Sequence, residues 1–206
     1  DCPTDKNFVN EIIVNTGTLS LTGRGKNDLT IFTAAVATPD SSTKRHFTIG
    51  DTATLSLRFI KLQNGNIFRN HNEDYDRVHP TFVGGSVHIF AGANVFIHDC
   101  YFLNNKARGG GAIEINDKGC YSDEFCKCDS NCGSMIVTGT TFEGNEAWDS
   151  GGAVSISGIW SESTTISFEN CIFKKNIAGL GNDMAGGYGS ESLDNVGGGA
   201  IFTSYS

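Results

Sequence analysis

His88 and Glu114 form the one acid–base pair that this sequence places on neighbouring copies of a repeated phrase. Each sits at the centre of an apolar–polar–apolar triplet, Val87-His88-Ile89 and Ile113-Glu114-Ile115. An imidazole beside a carboxyl can move protons at a sugar, the chemistry of polysaccharide lyases, hydrolases and epimerases. The plainer reading is a solvated sheet face that does no chemistry. Thr48, Ser155 and Phe202 hold the equivalent position in other copies and add no acid or base. The doubled Asp and Gly-His-Gly motifs of polygalacturonases are absent. Arg58 and His98 make a clustered basic pair in a second column, which continues through Thr138 and Glu169. Glu73, Asp74 and Asp76 are the candidate ligands for calcium, which wants six to eight oxygens. They lack EF-hand spacing, so the cofactor expectation is none, with calcium as the alternative. Cys120, Cys126, Cys128 and Cys132 crowd one segment at a spacing unlike paired zinc knuckles. Two local disulfides are expected there, and their pairing is open among three connectivities.

These residues are positioned by a repeat. Leu62-Gln63-Asn64-Gly65, Phe102-Leu103-Asn104-Asn105, Phe142-Glu143-Gly144-Asn145 and Phe173-Lys174-Lys175-Asn176 are copies of one phrase. A glycine step restarts it at Gly110-Gly111-Ala112-Ile113, Gly151-Gly152-Ala153-Val154 and Gly198-Gly199-Ala200-Ile201, with Gly84-Gly85-Ser86-Val87 as a looser copy. Shifted by 40, residues 47–65 lie on 87–105 without a gap, and their apolar positions coincide. Self-similarity at such a period is the mark of stacked supersecondary units. Period-two alternation in short runs reads as strands, and no stretch keeps a helical apolar period. The expected fold is all-β: a right-handed single-stranded parallel β-helix of about five to six coils, each with three strands. Residues 1–206 are read as one domain. Leu62, Phe102, Phe142 and Phe173 should stack inside it. Asn105, Asn145 and Asn176 should stack at a turn, where Asn tolerates the left-handed conformation. Cys100 and Cys171 share a repeat position but stand two strand spacings apart, roughly 9.6 Å. A disulfide is limited to about 7 Å between Cα atoms, so both are read as small buried hydrophobes.

Composition sets the outer limits. The chain has 206 residues, net charge −8, 26 glycines and only 15 Lys and Arg, without a basic patch. That argues against nucleic acid as a partner. No apolar run approaches the ~18 residues of a membrane span. Three insertions, 66–83, 116–133 and 179–196, interrupt the repeat where a stacked fold tolerates them and where a binding surface is expected. The last glycine step opens a new unit, so the native chain is expected to continue past Ser206.

The alternation of Phe-x-x-Asn with Gly-Gly-Ala-Ile resembles the polymorphic outer membrane protein (Pmp) repeats, best over residues 84–202. Residues 17–65 resemble the broader pectin-lyase-like β-helix group. Val154 in place of Ile and Ser86 in place of Ala are mild departures. The resemblance implies extracellular or cell-surface display and a role in adhesion. The expected function is therefore a non-catalytic adhesion or structural module. Its partners would be a surface protein, a glycan or other subunits of an extracellular assembly. A polysaccharide-active enzyme at His88 and Glu114 is the alternative.

Overall fold

Short runs alternating apolar and polar residues bury one side of a pleated strand, and this chain repeats them. The computed structural model describes residues 5–8, 11–34, 44–67, 83–90, 92–116, 133–157, 165–179 and 199–204. In chain order the strands are β1 (Asp5–Phe8), β2 (Ile12–Thr22), β3 (Thr30–Ala34), β4 (Phe47–Arg58), β5 (Ile60–Gln63) and β6 (Val87–Phe90). Then come β7 (Asn94–His98), β8 (Tyr101–Leu103), β9 (Lys106–Gly109), β10 (Ile113–Asn116), β11 (Ser134–Thr138) and β12 (Thr141–Glu143). The last are β13 (Glu146–Ser150), β14 (Val154–Ser157), β15 (Thr165–Glu169), β16 (Ile172–Lys174) and β17 (Ile201–Ser204). Among the described residues there is no helix, and the paired strands run parallel.

Successive repeats lie beside one another. One sheet has the order β1-β3-β5-β8-β12-β16. A second runs β15-β11-β7-β4-β6-β10-β14-β17, with β2 also on β4. The long β4 explains that order, because its start pairs with β6 and its end with β7. In later repeats the same path is broken into two strands. A further short sheet, β9 with β13, adds a fourth side to the three expected from sequence. Apolar residues from the two larger sheets, among them Phe47, Leu55, Leu62, Val95, Phe102, Ile113, Phe142 and Val154, meet in one buried cluster. Parallel strands in curled sheets around one core are compatible with a parallel β-helix.

Two columns run through that core. Phe102 stacks on Phe142 with ring centroids 4.9 Å apart and planes 9° from parallel. Phe142 stacks on Phe173 at 4.8 Å and 1°. Isolated rings avoid such sandwiches, but in-register parallel strands impose them at the strand spacing. Phe168 supplies edge-to-face contacts at 6.4 Å to Phe142 and 5.8 Å to Phe173. Burying each ring contributes roughly 1.5–3 kcal/mol. Leu62 continues the column, and Phe32 pairs in register with it, a member that the sequence comparison missed.

The second column is amide. Asn105 Nδ2 donates to Asn145 Oδ1 at 3.0 Å, and Asn145 Nδ2 donates to Asn176 Oδ1 at 2.9 Å. The same oxygens accept the backbone N–H of Asn105 and of Asn145. Each side chain also donates back one strand, to the carbonyls of Leu62, Phe102 and Phe142. Buried amides need such saturation, because an unmet donor or acceptor costs about 1–3 kcal/mol. Gly65 takes the place of the next Asn, and its N–H donates to Asn105 Oδ1. The column then passes to Ser86, whose hydroxyl donates to Asn105 Oδ1, and to His46, whose Nδ1 lies 2.9 Å from Ser86 Oγ.

The left-handed residue is one position earlier than expected. Positive φ falls on Asn64, Asn104, Gly144 and Lys175, not on the ladder asparagines. A run such as Asn104-Asn105 hides which amide bends the backbone and which makes the ladder. Lys175, at φ 55° and exposed, is the costly member, since left-handed geometry costs a side-chain-bearing residue roughly 1–2 kcal/mol. Lys175→Asn is therefore expected to stabilise the chain by about 0.5–1 kcal/mol, read as a higher urea midpoint. No change, or a lower midpoint, would show that the bend is unstrained.

The glycine steps stack backbone on backbone. A Cβ on Gly111 would lie 2.2 Å from the carbonyl oxygen of Gly152, and one on Gly85 would lie 2.2 Å from that of Gly111. Only glycine fits where consecutive repeats approach so closely.

Candidate functional site

The polar column beside the first strand is built from Thr48, His88, Glu114, Ser155 and Phe202. They pair in register across β4, β6, β10, β14 and β17. Their apolar neighbours Val87, Ile89, Ile113 and Ile115 point into the core, so these residues point away from it. Sequence reading took that side for a solvated face, and the structure corrects this. His88 is 3% exposed, Glu114 4% and Ser155 2%. Alternation fixes which side a residue faces but says nothing about what covers that side.

The column is held by separate polar contacts to its neighbours. His88 Nε2 lies 2.8 Å from Asn116 Oδ1, and its ring sits 4.5 Å from that of Phe90. Ser157 Oγ donates to Glu114 Oε1 at 3.1 Å. Glu114 Oε2 is buried without a hydrogen bond. Arg45 enters from the preceding repeat, with Nε 2.9 Å from Glu11 Oε1 and Nη1 donating to the Val83 carbonyl at 2.9 Å. The Thr48 hydroxyl donates to the same Glu11 oxygen. Arg108 pairs with Asp149 nearby at 2.5 Å.

Burial sets the protonation states. Desolvation, helped by the charge of Arg45, lowers the His88 pKa to about 4. Desolvation raises Glu114 to about 7, against the pull of the Ser155 and Ser157 hydroxyls and with the help of Asp149. Thus His88 is a neutral ring near pH 7, and Glu114 is a carboxyl reluctant to ionise. The two are register partners, yet each bonds to a different neighbour, and neither offers a surface that a polymer could approach. Nothing among the described residues supports polysaccharide cleavage at this pair.

The second column lies open. Arg58, His98, Thr138 and Glu169 are in register, as are Ser56, Phe96, Ile136 and Ser167 two residues earlier. His98 Nδ1 lies 2.6 Å from Thr138 Oγ1, and its Nε2 lies 2.9 Å from Asp99 Oδ2. Lys26 meets the other oxygen of Asp99 at 2.8 Å and holds that carboxyl below its usual range. Sequence reading missed Lys26, Asp99, Arg45 and His46. The signal for His46 was one residue outside the aligned block, since a shift of 40 sets it on Ser86.

Cys100 is buried and Cys171 half-buried, both as free thiols. Thr140 between them bonds as Cys100 does, to the carbonyl two residues back. Glu73, Asp74, Asp76, Cys120, Cys126, Cys128 and Cys132 lie outside the described residues, as do the interiors of the insertions 66–83, 116–133 and 179–196. No three metal-ligating side chains meet among the described residues.

The fold and columns define a repeat protein of parallel strands, with a Phe-x-x-Asn phrase and a glycine step in each unit. Residues 99–116 match the family model described as the Chlamydia polymorphic membrane protein (Chlamydia_PMP) repeat. The matched stretch contains Phe102, Asn105 and the step Gly110 to Ile113. No curated protein and no solved structure matches the chain.

Proposed function

We propose that this chain is a segment of a right-handed, pectin-lyase-like parallel β-helix, secreted or displayed at a cell surface, that works as a non-catalytic adhesion or structural module. The observation that carries this reading is the repeat match at 99–116, because Asn105 within it heads a ladder that recurs outside it at Asn145 and Asn176. An internally saturated stack is stiff and suits a spacer that holds binding elements away from a surface. The insertions 66–83, 116–133 and 179–196 would then meet a surface protein or glycan, or other subunits of an assembly. Disulfides among Cys120, Cys126, Cys128 and Cys132 would pin the second insertion, and Glu73, Asp74 and Asp76 would take calcium if the first needs it. The burial of His88 and Glu114 weighs against the enzymatic alternative.

The test pairs adhesion with turnover. Beads coated with the 206-residue chain are expected to bind host-cell or glycan surfaces, to lose binding when residues 117–132 are replaced by a short Gly-Ser link, and to release no sugar from polysaccharides. Cleavage abolished by His88→Ala or Glu114→Gln would replace this reading with an enzyme.

A further inference from the structure

We infer that His46 and Ser86 together stand in for a missing rung of the amide ladder, and that they form a proton-operated switch in which the Ser86 hydroxyl reverses direction when His46 takes up a proton. The gap is at Gly65, which aligns with Asn105, Asn145 and Asn176. No side chain fits there, since a Cβ would lie 2.0 Å from the Gly85 carbonyl oxygen and 3.0 Å from Asn105 Oδ1. Asn105 and Asn145 each donate twice, back to the carbonyl of Leu62 or Phe102 and forward to the next Oδ1. An amide at 65 would donate back to Phe32, the register partner of Leu62, and forward to Asn105 Oδ1. Other residues reach both acceptors. His46 Nε2 lies 3.1 Å from the Phe32 carbonyl, and Ser86 Oγ lies 2.8 Å from Asn105 Oδ1. The 2.9 Å contact of His46 Nδ1 with Ser86 Oγ joins the two halves.

His46 and Ser86 depart from the repeat at one spot. The backbone N–H groups of His46, Ser86, Ala112 and Ala153 donate in turn to the carbonyls of Ser86, Ala112, Ala153 and Ala200, so these residues are one column. Its later members carry only a methyl group. The two polar members are neighbours, 1% and 0% exposed. Buried polar side chains need partners, and each supplies one to the other.

The proton count makes the switch. A carbonyl oxygen only accepts, so the Phe32 contact fixes a proton on Nε2. A neutral ring then has a bare Nδ1, and the Ser86 proton turns to it. An imidazolium carries a proton on Nδ1 as well and donates it to Ser86 Oγ. The Ser86 proton then turns to Asn105 Oδ1. One hydroxyl proton cannot serve both acceptors, so each charge state of His46 fixes one direction. Asparagine amides do not titrate, so among the described rungs this one alone answers to pH.

The groups that face His46 set the pH at which it turns. Phe32 of β3 and Gln63 of β5 offer carbonyls, and Ser86 offers its hydroxyl. Lys44 and Arg45 precede it in the chain, and Arg45 is turned to Glu11 and the Val83 carbonyl. Among the described residues no charged group acts on the ring. Desolvation lowers its pKa to about 4, and the two carbonyls oppose that shift. At pH 7 the ring is neutral and the hydroxyl faces Nδ1; the turn toward Asn105 comes in acid.

Histidine and amide NMR of the 206-residue chain, titrated from about pH 7.5 to about pH 3, tests the switch. His46 is expected as the Nε2–H tautomer at the start, and to take up its proton while the native amide signals persist. The Gly65 amide, which shares Asn105 Oδ1 with Ser86, should shift with the same midpoint. Ser86→Ala gives this position the residue of the later rungs, so the backbone step is kept. It should weaken proton uptake by His46 about tenfold, because a hydrogen bond from a charged donor is worth more than one to a neutral ring. His46→Gln keeps an amide donor for Phe32 but has no proton to gain, so its Gly65 amide should stay flat. An Nδ1–H tautomer at the start, or native signals lost before His46 titrates, would overturn the switch. So would an unchanged His46 midpoint in Ser86→Ala, or a Gly65 shift that survives in His46→Gln.

Discussion

Asn145→Ala is expected to cost about 3–5 kcal/mol of folding stability, seen as a large drop in the urea midpoint with little change in slope. Four hydrogen bonds of the Asn145 side chain vanish together. Its Oδ1 no longer accepts the backbone and side-chain N–H of Asn105, and its Nδ2 no longer reaches the Phe102 carbonyl or Asn176 Oδ1. Each bond is worth roughly 1 kcal/mol, and Asn105, at 0% exposure, keeps its side-chain bond to the Leu62 carbonyl but is left with its backbone N–H and one amide hydrogen unmet. Asn145→Asp keeps the acceptor but loses both donated bonds and buries a charge, so it should be no milder. A loss below about 1 kcal/mol in Asn145→Ala would mean that water enters and replaces the ladder.

Glu114→Gln should make the chain more stable at pH 8 than at pH 4.5 relative to wild type, by about 3 kcal/mol between the two. The sign follows from the raised pKa. The folded carboxyl holds its proton up to about pH 7, whereas the unfolded one loses it near the ordinary value of 4.5. Glu114 therefore favours the fold below pH 4.5, and that contribution disappears as the pH climbs to 7. Gln has no such proton and escapes the loss. His46 and His88 work in the other direction. Burial lowers both to about 4, so their contribution is full above pH 6.5 and declines as the pH falls toward 4. Asp149 is the charged group that acts on Glu114, and Gln leaves it in place. Urea titrations of both proteins across this range decide the matter. A parallel offset at every pH would mean that Glu114 is not buried as a carboxyl.

The core was legible because it is written position by position. Leu62, Phe102, Phe142 and Phe173 recur in the same phrase, and a residue that must lie on its counterpart leaves that trace. Asn105, Asn145 and Asn176 left it too, although the bend one residue earlier was credited to them. The first members, Phe32 and His46, were missed because their surroundings share too little with later copies. The burial of His88 and Glu114 was illegible for a different reason. Two-residue alternation records the direction of a side chain, and the cover over it comes from Arg45, Asn116, Ser157 and other groups far away in sequence or outside the repeated phrase. Arg58 and His98 were seen as a pair, but Lys26, which joins them through Asp99, lies in a segment with no counterpart in later repeats.

The glycine step has a consequence for growth and variation. From Val87 the chain takes 26 residues to reach its partner Ile113, 41 more to reach Val154 and 47 more to reach Ile201. Each detour, short or long, ends one rung further on, because a carbonyl of one glycine step sits against the next and leaves no room for any other rise. The spine therefore acts as a ruler that does not count residues. Detours can lengthen, shrink or be exchanged while every rung keeps its height, and the surface can diversify sideways without changing how far the molecule reaches.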